Sequence, residues 1–520
     1  MMGASETRFS RKNLVSLHRG KLLRHIKLAI IVCCLVVACQ GNDPAPTTAP
    51  KTTGRADTLP HNTPLSTFVP SATPYASAMP LPSPRSPLVE AYVVQAGDTL
   101  GGISLAYGVS LPELLAFNGL ESEAAIIQIG QTLHIPLDIS RTGPQEALLP
   151  DSEVVYSPAY VGFDVADFLA RQGGYLAAYA ERVNGEAVNG AQIITNVARQ
   201  YSVGPRVLLT LLEHYAGWVT NPQPDLAPVL GPANPYGEET LTLQLSWTAN
   251  RVNEGYYGYK RDGQVAVRFY DGGRAIIPGG LNAGSAGIQN ILAVNGSWET
   301  WSTQMEAFVA TYQRLFGDPF TPYGESTLAV EPLVPIDLKQ PPLRLPWEPG
   351  QTFYYTGGPH AAYGSRSAWA AVDFAPPDVL GSCYYSQENV VAASDGRLFL
   401  AGKGETYLDL DGDGNLQTGW VLLYLHVVAR DDLLHGQRVT AGTPLGYASC
   451  EGGYSNSSHL HLARRYNGEW MAADGPVPLV LSGWEAKAGL AQYDGTLVRD
   501  GVTKTACECR DEALNGIAGE

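Results

Sequence analysis

The sequence predicts a multidomain chain: a small strand–helix–helix–strand (βααβ) module, a mainly α middle domain and a mainly antiparallel β domain toward the C-terminus. Three observations carry that expectation. At 520 residues, 45% of them hydrophobic, the chain exceeds what one core holds at roughly 100–200 residues per domain. A Pro/Thr/Ser-rich stretch with eleven prolines between Pro44 and Pro87 separates the start from everything after it. Apolar spacing then changes along the chain, helical between about Tyr156 and Phe320 and in short β-like runs beyond Leu345. With 56 Gly, 37 Pro and 16% charged residues the chain is turn-rich, which disfavours an extended all-helical architecture. The formal charge is −16 and becomes −22 once the seven basic and one acidic residues of the first 38 are removed. A chain this acidic, with no dense basic patch, repels phosphate backbones, so nucleic acid is excluded as a partner.

The first 38 residues read as a signal peptide. Arg8, Arg11, Lys12, Arg19, Lys21, Arg24 and Lys27 precede the apolar run Leu28 to Ala38, which is too short to span a bilayer. The closing Val36-Val37-Ala38-Cys39 resembles a bacterial lipobox, which implies lipidation of Cys39 and an extracytoplasmic, membrane-anchored protein. Residues 39–90 have too few large apolar side chains to offset chain ordering and are expected to be a semi-rigid tether.

Residues 91–137 hold the first folded unit. Val93-Val94 starts a strand, Gly97-Asp98-Thr99-Leu100 turns into a first helix, Leu111 to Asn118 makes a second, and Gly130 to Pro136 returns as a strand. The stretch Tyr92 to Pro136 resembles a LysM domain over its whole length, which implies a groove for N-acetylglucosamine-containing glycans between the Gly97 turn and the loop after the second helix. Asn118 and His134 read as a helix C-cap and a strand-edge residue rather than as sugar contacts.

Between 150 and 320, Ile193, Ile194 and Val197 and then Val207, Leu208, Leu211 and Leu212 fall at helical spacing. Ser202 to Trp218, Leu243-Gln244-Leu245 and Asn282-Ala283-Gly284 resemble, in order, three motifs of lytic transglycosylases, which implies a lysozyme-like domain. Aligned on that family, Tyr215 stands where the catalytic Glu belongs and Ala216 where its Ser belongs. A phenol, with a pKa of about 10, is a poor proton donor to a glycosidic oxygen. Glu213, two residues away, is rotated by roughly 200° on a helix. A degenerate glycan-binding or structural domain is therefore favoured over a muramidase acting through Glu213.

After a linker over 321–344, the region 345–482 carries β-like runs at Val390 to Ala393, Gly396 to Ala401, Trp420 to Val428, Pro444 to Tyr447 and Leu460 to Arg465. Gly-Gly-Pro-His360, Val372-Asp373-Phe374, Tyr424-Leu425-His426 and Ser458-His459-Leu460-His461 fall within it. His459 and His461, two apart on a strand, share a face and can address one ion. These motifs resemble the lysostaphin-type metallopeptidases of the LytM fold, in their β-lytic, staphylolytic branch. The commonest members place a ligand His four residues before the Asp, a position held here by Trp369. The β-lytic branch takes that His from a longer loop, as His360 thirteen residues before Asp373 would supply it. The resemblance implies one Zn2+ held by His360, Asp373 and His461, with one position open, and His426 and His459 lining the open side as base and oxyanion stabiliser in either order. His435 matches no family role and reads as a solvated turn residue.

Two further features are weighed. Asp409-Leu410-Asp411-Gly412-Asp413-Gly414 has calcium-loop spacing, but Trp420 stands at the twelfth position where a bidentate Glu would close the site, so a hairpin turn is favoured over Ca2+ at Asp409, Asp411 and Asp413. Beyond Cys39 the mature cysteines are Cys383, Cys450, Cys507 and Cys509, with three pairings open; Cys383 with Cys450, pinning the loop that enters the His459 strand, is favoured. Residues 483–520 are left as a C-terminal extension. The expected function is that of a lipid-anchored zinc metalloendopeptidase acting on the peptide stems or cross-bridges of peptidoglycan. Its rivals are a non-catalytic wall-binding or amidase-activating lipoprotein and a glycan-cleaving enzyme working through the middle domain.

Overall fold

The structure, a computed structural model, describes residues 89–94, 98–107, 109–137, 141–183, 185–225, 229–321, 331–379 and 381–520. The leader, the lipobox with Cys39, residues 39–88 of the expected tether and Gly97 lie outside the described residues, while Val89 and Glu90, expected in the tether, belong to the first strand.

The N-terminal module pairs β1 (Val89–Val93) antiparallel with β2 (Thr132–Pro136) around α1 (Leu100–Tyr107) and α2 (Leu111–Phe117). Ser110 caps α2 by accepting from the Glu113 amide, and Pro112 suits the first turn, where an amide proton has no helical partner. Asn118 ends the helix as expected. Its Nδ2 donates to the carbonyls of Leu114 and His134, at 2.9 and 2.8 Å, and its Oδ1 accepts from the His134 amide, which ties α2 to β2. Arg274 joins this module to the next by pairing with Glu90 while lying over the Tyr107 ring.

The middle domain is helical, as the spacing predicts. It comprises α3 (Asp151–Val154), α4 (Val165–Gln172), α5 (Tyr175–Ala178), α6 (Gly190–Tyr201), α7 (Pro205–Ala216), α8 (Leu241–Lys260), α9 (Ala283–Val294) and α10 (Trp298–Phe316). Two small hairpins interrupt it, β3 (Ala180–Val183) with β4 (Glu186–Asn189) and β5 (Ala266–Arg268) with β6 (Arg274–Ile276). A buried ionic cluster fixes its centre: Glu153 accepts from Arg206 Nε at 2.9 Å and Nη2 at 2.6 Å, and from the hydroxyl of Tyr312.

The C-terminal part is built from β7 (Thr352–His360), β8 (Ala371–Ala375), β9 (Asn389–Val391), β10 (Gly396–Gly402), β11 (Glu405–Asp409), β12 (Trp420–Leu425), β13 (Val427–Ala429), β14 (Arg438–Val439), β15 (Pro444–Ala448), β16 (Leu460–Tyr466), β17 (Glu469–Trp470), β18 (Val480–Leu481), β19 (Trp484–Ala488), β20 (Gly495–Arg499), β21 (Val502–Thr505) and β22 (Gly516–Ala518). Nine of these strands form one antiparallel sheet in the order β14-β10-β11-β12-β16-β8-β7-β22, with β17 on β16; β13-β15-β9 and β18-β19-β20-β21 form two smaller sheets.

Three expectations need correction. The predicted run Trp420 to Val428 is two strands, because His426 takes a positive φ of 61° and turns the chain from one sheet into another. The run at Val390 belongs to the small sheet rather than the large one. Residues 483–520 are not an appendage: β22 hydrogen-bonds to β7 and closes the edge of the large sheet.

Both faces of the large sheet are buried. Along β12, Val421, Leu423 and Leu425 pack with the helical domain, in one core with Trp470 and Ala463. Leu422 and Tyr424 point the other way, against Trp347, Phe353, Leu460 and Leu462. This explains why β12 is an unbroken apolar run, since a strand with no wet face has no need of alternation. Helical and β parts therefore share a core rather than meeting as separate globules.

Removing one partner from a buried ion pair strands the other, at a cost of about 3–5 kcal/mol, whereas an exposed pair contributes about 0–1 kcal/mol. Arg206→Leu should accordingly lower the unfolding free energy by about 3–5 kcal/mol in urea titration, and Arg171→Leu, which breaks an exposed pair with Asp167, by less than about 1 kcal/mol. Equal effects would refute this placement of the domain's stability.

Candidate metal centre

Register brings the chemistry together. His461 on β16 lies opposite Asp373 on β8 and opposite Leu425 on β12, and Gly357 on β7 faces Asp373. His360 ends β7, His426 stands at the β12–β13 break, and His459 bridges to Ser449 just before β16. All five predicted site residues converge at one end of the sheet, on the face that Ala463 and Val421 turn toward the helical domain. Gly357 permits the approach of β7, because a Cβ there would lie 2.5 Å from Asp373 Oδ2.

Asp373 Oδ1 is the centre of the cluster, 3.2 Å from His461 Nδ1, 3.4 Å from His360 Nε2 and 3.5 Å from His459 Nε2. The donor atoms of His360, Asp373 and His461 all lie within 4.8 Å of one another. Each imidazole has its other nitrogen committed to a backbone carbonyl: His360 Nδ1 to Gly358 at 2.8 Å, His461 Nε2 to Ala362 at 2.9 Å, and His426 Nδ1 to Glu451 at 2.8 Å. His459 Nδ1 contacts the Ser457 carbonyl at 2.8 Å. A carbonyl only accepts, so each of these nitrogens carries the proton and the opposite nitrogen presents a lone pair to the site.

This donor set fits a divalent metal. His360 Nε2 and His461 Nδ1 are 3.0 Å apart with both protons committed elsewhere, so two lone pairs confront each other beside a carboxylate, an arrangement that a cation between them relieves. Nitrogen and carboxylate donors from three strands match the ligand types of a zinc site.

The electrostatics agree. Burial pushes the His360 imidazole down to about 4, with Asp373 pulling the other way. Burial, then the neighbouring His459 and His461, push His426 down to about 3. Burial alone would raise the Asp373 carboxyl, but His360, His459 and His461 outweigh it and hold the group well below the usual carboxylate range. Near neutral pH Asp373 is therefore an ionised carboxylate and His360 and His426 are neutral imidazoles, the state a metal ion requires of its ligands.

Cys383 and Cys450 are bonded, with Cα atoms 5.5 Å apart, and pin the loop entering His459 as expected. Cys507 is bonded to Cys509. His435 is exposed against the Phe399 ring and takes no part in the site. Tyr493 was missed, because it falls in the stretch set aside as an extension. Its ring stacks on His360 with centroids 4.2 Å apart, and its carbonyl accepts from the Gly358 amide at 2.7 Å.

The other candidate residues serve structural roles. Asp409 accepts from the amides of Gly412 and Gly414, and Asp413 from the Asn415 amide and the Thr418 hydroxyl, so the calcium-like loop is the β11–β12 hairpin turn. Burial and a hydrogen bond with Asp409 push the Asp411 carboxyl up to about 7. In the middle domain, Glu213 accepts from the amides of Val219 and Thr220, the Thr220 hydroxyl and Arg314, so it is fully used in fastening the end of α7. Burial raises the Tyr215 phenol further, which removes it as an acid.

A family description, LasA N-terminal domain, matches residues 147–330, and LysM domain matches 92–136. With the site above, these matches make the chain similar to LytM-like zinc metalloendopeptidases, with a LysM module at its N-terminal side. Among curated relatives, Protease LasA of Pseudomonas aeruginosa strain UCBPP-PA14 is 26% identical over 428 residues, 79% of this chain and 90% of that protein. Protease LasA of strain PAO1 is 28% identical over 314 residues, 56% of this chain and 69% of that protein. Among solved structures, a novel M23 metalloprotease, pseudoalterin, from the deep sea is 23% identical with a TM-score of 0.27, covering 32% of this chain and 96% of its own.

Because the folded His360 and His426 imidazoles bind protons more weakly than free ones near 6.5, the unfolded chain holds more protons between about pH 6.5 and 4, and stability must fall as pH falls through that window. Each such imidazole contributes up to about 1.4 kcal/mol per pH unit. Urea unfolding of metal-free protein at pH 7 and pH 5 should show this loss, and His426→Gln should reduce it. An identical pH slope in the variant would contradict the assignment of His426 as a buried neutral imidazole.

Proposed function

We propose that this chain hydrolyses the peptide stems or cross-bridges of bacterial peptidoglycan, with His360, Asp373 and His461 holding Zn2+ and His426 and His459 acting on the reacting groups. The observation that supports it most is the confrontation of His360 Nε2 and His461 Nδ1 across Asp373 Oδ1. When bound, zinc would polarise the scissile carbonyl and lower the pKa of a water molecule. His426, with its proton committed to Glu451, offers a bare Nε2 that can take the proton released as water attacks and deliver it to the departing amine. His459, held through Ser457, presents its Nε2 on the same side and, once protonated, stabilises the oxygen of the tetrahedral carbon. Asp373 stays ionised throughout and balances the charge.

The LysM module is the glycan-holding element, keeping the peptidase near its substrate by raising its local concentration. The lipobox-like Cys39 anchors the whole at a membrane surface outside the cytoplasm, with the tether giving it reach. The middle domain binds or braces and does not cut glycan, because Glu213 is consumed in fastening α7.

Wall digested by the full chain should release new free amino groups and no anhydro-sugar ends, and His461→Ala should abolish that release while leaving LysM-dependent wall binding intact. Undiminished digestion by this variant would remove the mechanism. Cys39→Ala should move the protein from the membrane fraction to the soluble extracytoplasmic fraction; unchanged fractionation would remove the anchor.

A further inference from the structure

The carbonyls that hold the four imidazoles come from two separate stretches of chain. Gly358 and Ala362, two residues either side of His360, hold His360 and His461. Glu451 and Ser457, in the loop between β15 and β16, hold His426 and His459. The two histidines placed on the metal and the two placed on the reacting groups are thus oriented by different segments.

The second segment starts at Ser449, which is fully buried and follows directly on β15. Its amide and its hydroxyl both donate to the His426 carbonyl, at 2.7 and 3.1 Å. The same hydroxyl oxygen accepts from the Glu451 amide at 3.1 Å, and the Glu451 carbonyl takes the proton of His426 Nδ1 at 2.8 Å. A hydroxyl donates and accepts at once, so these bonds close a circuit from the His426 backbone through Ser449 and Glu451 to the His426 ring. The circuit ties the imidazole to its own main chain where φ is 61°. Alanine at 449 would open it and leave the Glu451 amide without that partner. Ser449 also bridges antiparallel to His459, so both histidines lean on one residue.

Between Ser449 and Glu451 stands Cys450, bonded to Cys383. Cys383 Sγ lies 3.9 Å from the Ser455 carbonyl, and Ser455 Oγ lies 3.4 Å from His459 Nδ1. At the far end of the loop the Ser458 amide donates to the Ser382 carbonyl at 3.1 Å, and Ser458 Oγ accepts from the Tyr384 amide at 3.0 Å. The crosslink therefore clamps 382–384 across both ends of 450–458. Behind the loop, Gly452 takes a φ of 89° against the Gly404 carbonyl, where a Cβ would come within 2.7 Å, so the turn has no room to retreat.

We propose that Ser449 and the Cys383–Cys450 bond form a positioning element for His426 and His459, which presents their bare Nε2 atoms to the reacting groups and takes no part in retaining the metal. None of the three residues touches substrate; they act through the carbonyls that fix the imidazole protons. Misplacing a group by about 1 Å can cost about 100-fold in rate. The inference rests on the peptidase reading and adds to it a division between the segment that keeps zinc and the segment that sets turnover.

The test uses the full-length chain and three readouts: kcat and KM on a soluble peptide containing a Gly-Gly bond, the rate at which a chelator withdraws zinc, and nitrogen NMR of the histidine rings in metal-free protein near neutral pH. Ser449→Ala, and the double variant Cys383→Ser with Cys450→Ser, should each lower kcat roughly 10–100-fold with KM little changed, while zinc leaves at the parental rate. The parent should show His426 as one tautomer with its proton on Nδ1, and both variants should begin to populate the Nε2–H form. Should the cysteine variant fail to fold, Ser449→Ala, which keeps the crosslink, decides alone. Parental kcat and a parental ring spectrum in folded Ser449→Ala would overturn the proposal. Zinc loss quickened by the same factor as kcat falls would overturn it too, since the element would then brace the whole site. If the parent holds zinc yet cleaves no peptide, the peptidase reading fails, and the ring spectra still decide this one.

Discussion

The site depends on where four imidazole protons are kept. Backbone carbonyls at Gly358, Ala362, Glu451 and Ser457 take one ring nitrogen each, which leaves the opposite nitrogens bare, those of His360, His459 and His461 close to one carboxylate oxygen of Asp373. Carbonyls suit this task because they only accept and cannot ionise, so they fix the tautomer of each neutral ring. A side-chain partner would have introduced a second titration. The cost is local: Gly357 must lack a Cβ, and His426 must adopt a left-handed backbone that costs about 1–3 kcal/mol for a non-glycine residue. The surrounding sheet, buried on both faces, over-determines these positions and absorbs that cost.

The sheet does this by being a shared wall. Its β12 sends alternate residues into two different cores, one made with the helical domain and one within the β part. The metal centre occupies the same face as the helical packing, farther along the strands. Polar links cross the junction as well: Arg199 and Gln200 meet Glu405, Ser202 donates to Gly468, and Lys260 pairs with Glu469. Hydrophobic burial supplies the adhesion and these directional contacts supply the register, which is the usual division of roles between the two kinds of interaction.

Much of the site was legible in the sequence because the residues that matter are chemically rare. Histidines at 360, 426, 459 and 461 and the Asp at 373 carry their chemistry in their identity, and strand alternation alone places His459 and His461 on one face. The helical middle was legible from spacing, and the capping role of Asn118 from its position. Legibility ended where the meaning of a residue is set by distant partners. Tyr493 is an ordinary aromatic until β20 brings it against His360. The edge strand β22 is a three-residue segment too short to announce itself by pattern. The run from Trp420 to Val428 is apolar throughout, so nothing in it marks the turn at His426, which tertiary packing imposes. Glu213 was read as facing away from a glycan site by helical geometry, and its role in fastening α7 follows only from the fold of Val219 and Thr220 back onto it.

The two-sided burial of β12 also bears on how such proteins can be cut and recombined. An excised β part would present Val421, Leu423, Tyr407 and Trp470 to water as one continuous apolar surface, a surface that invites self-association. The smallest portable unit is therefore the helical and β parts together with the last strand, and a chimera that respects only the boundaries of the metal-binding motifs would carry an unsealed seam.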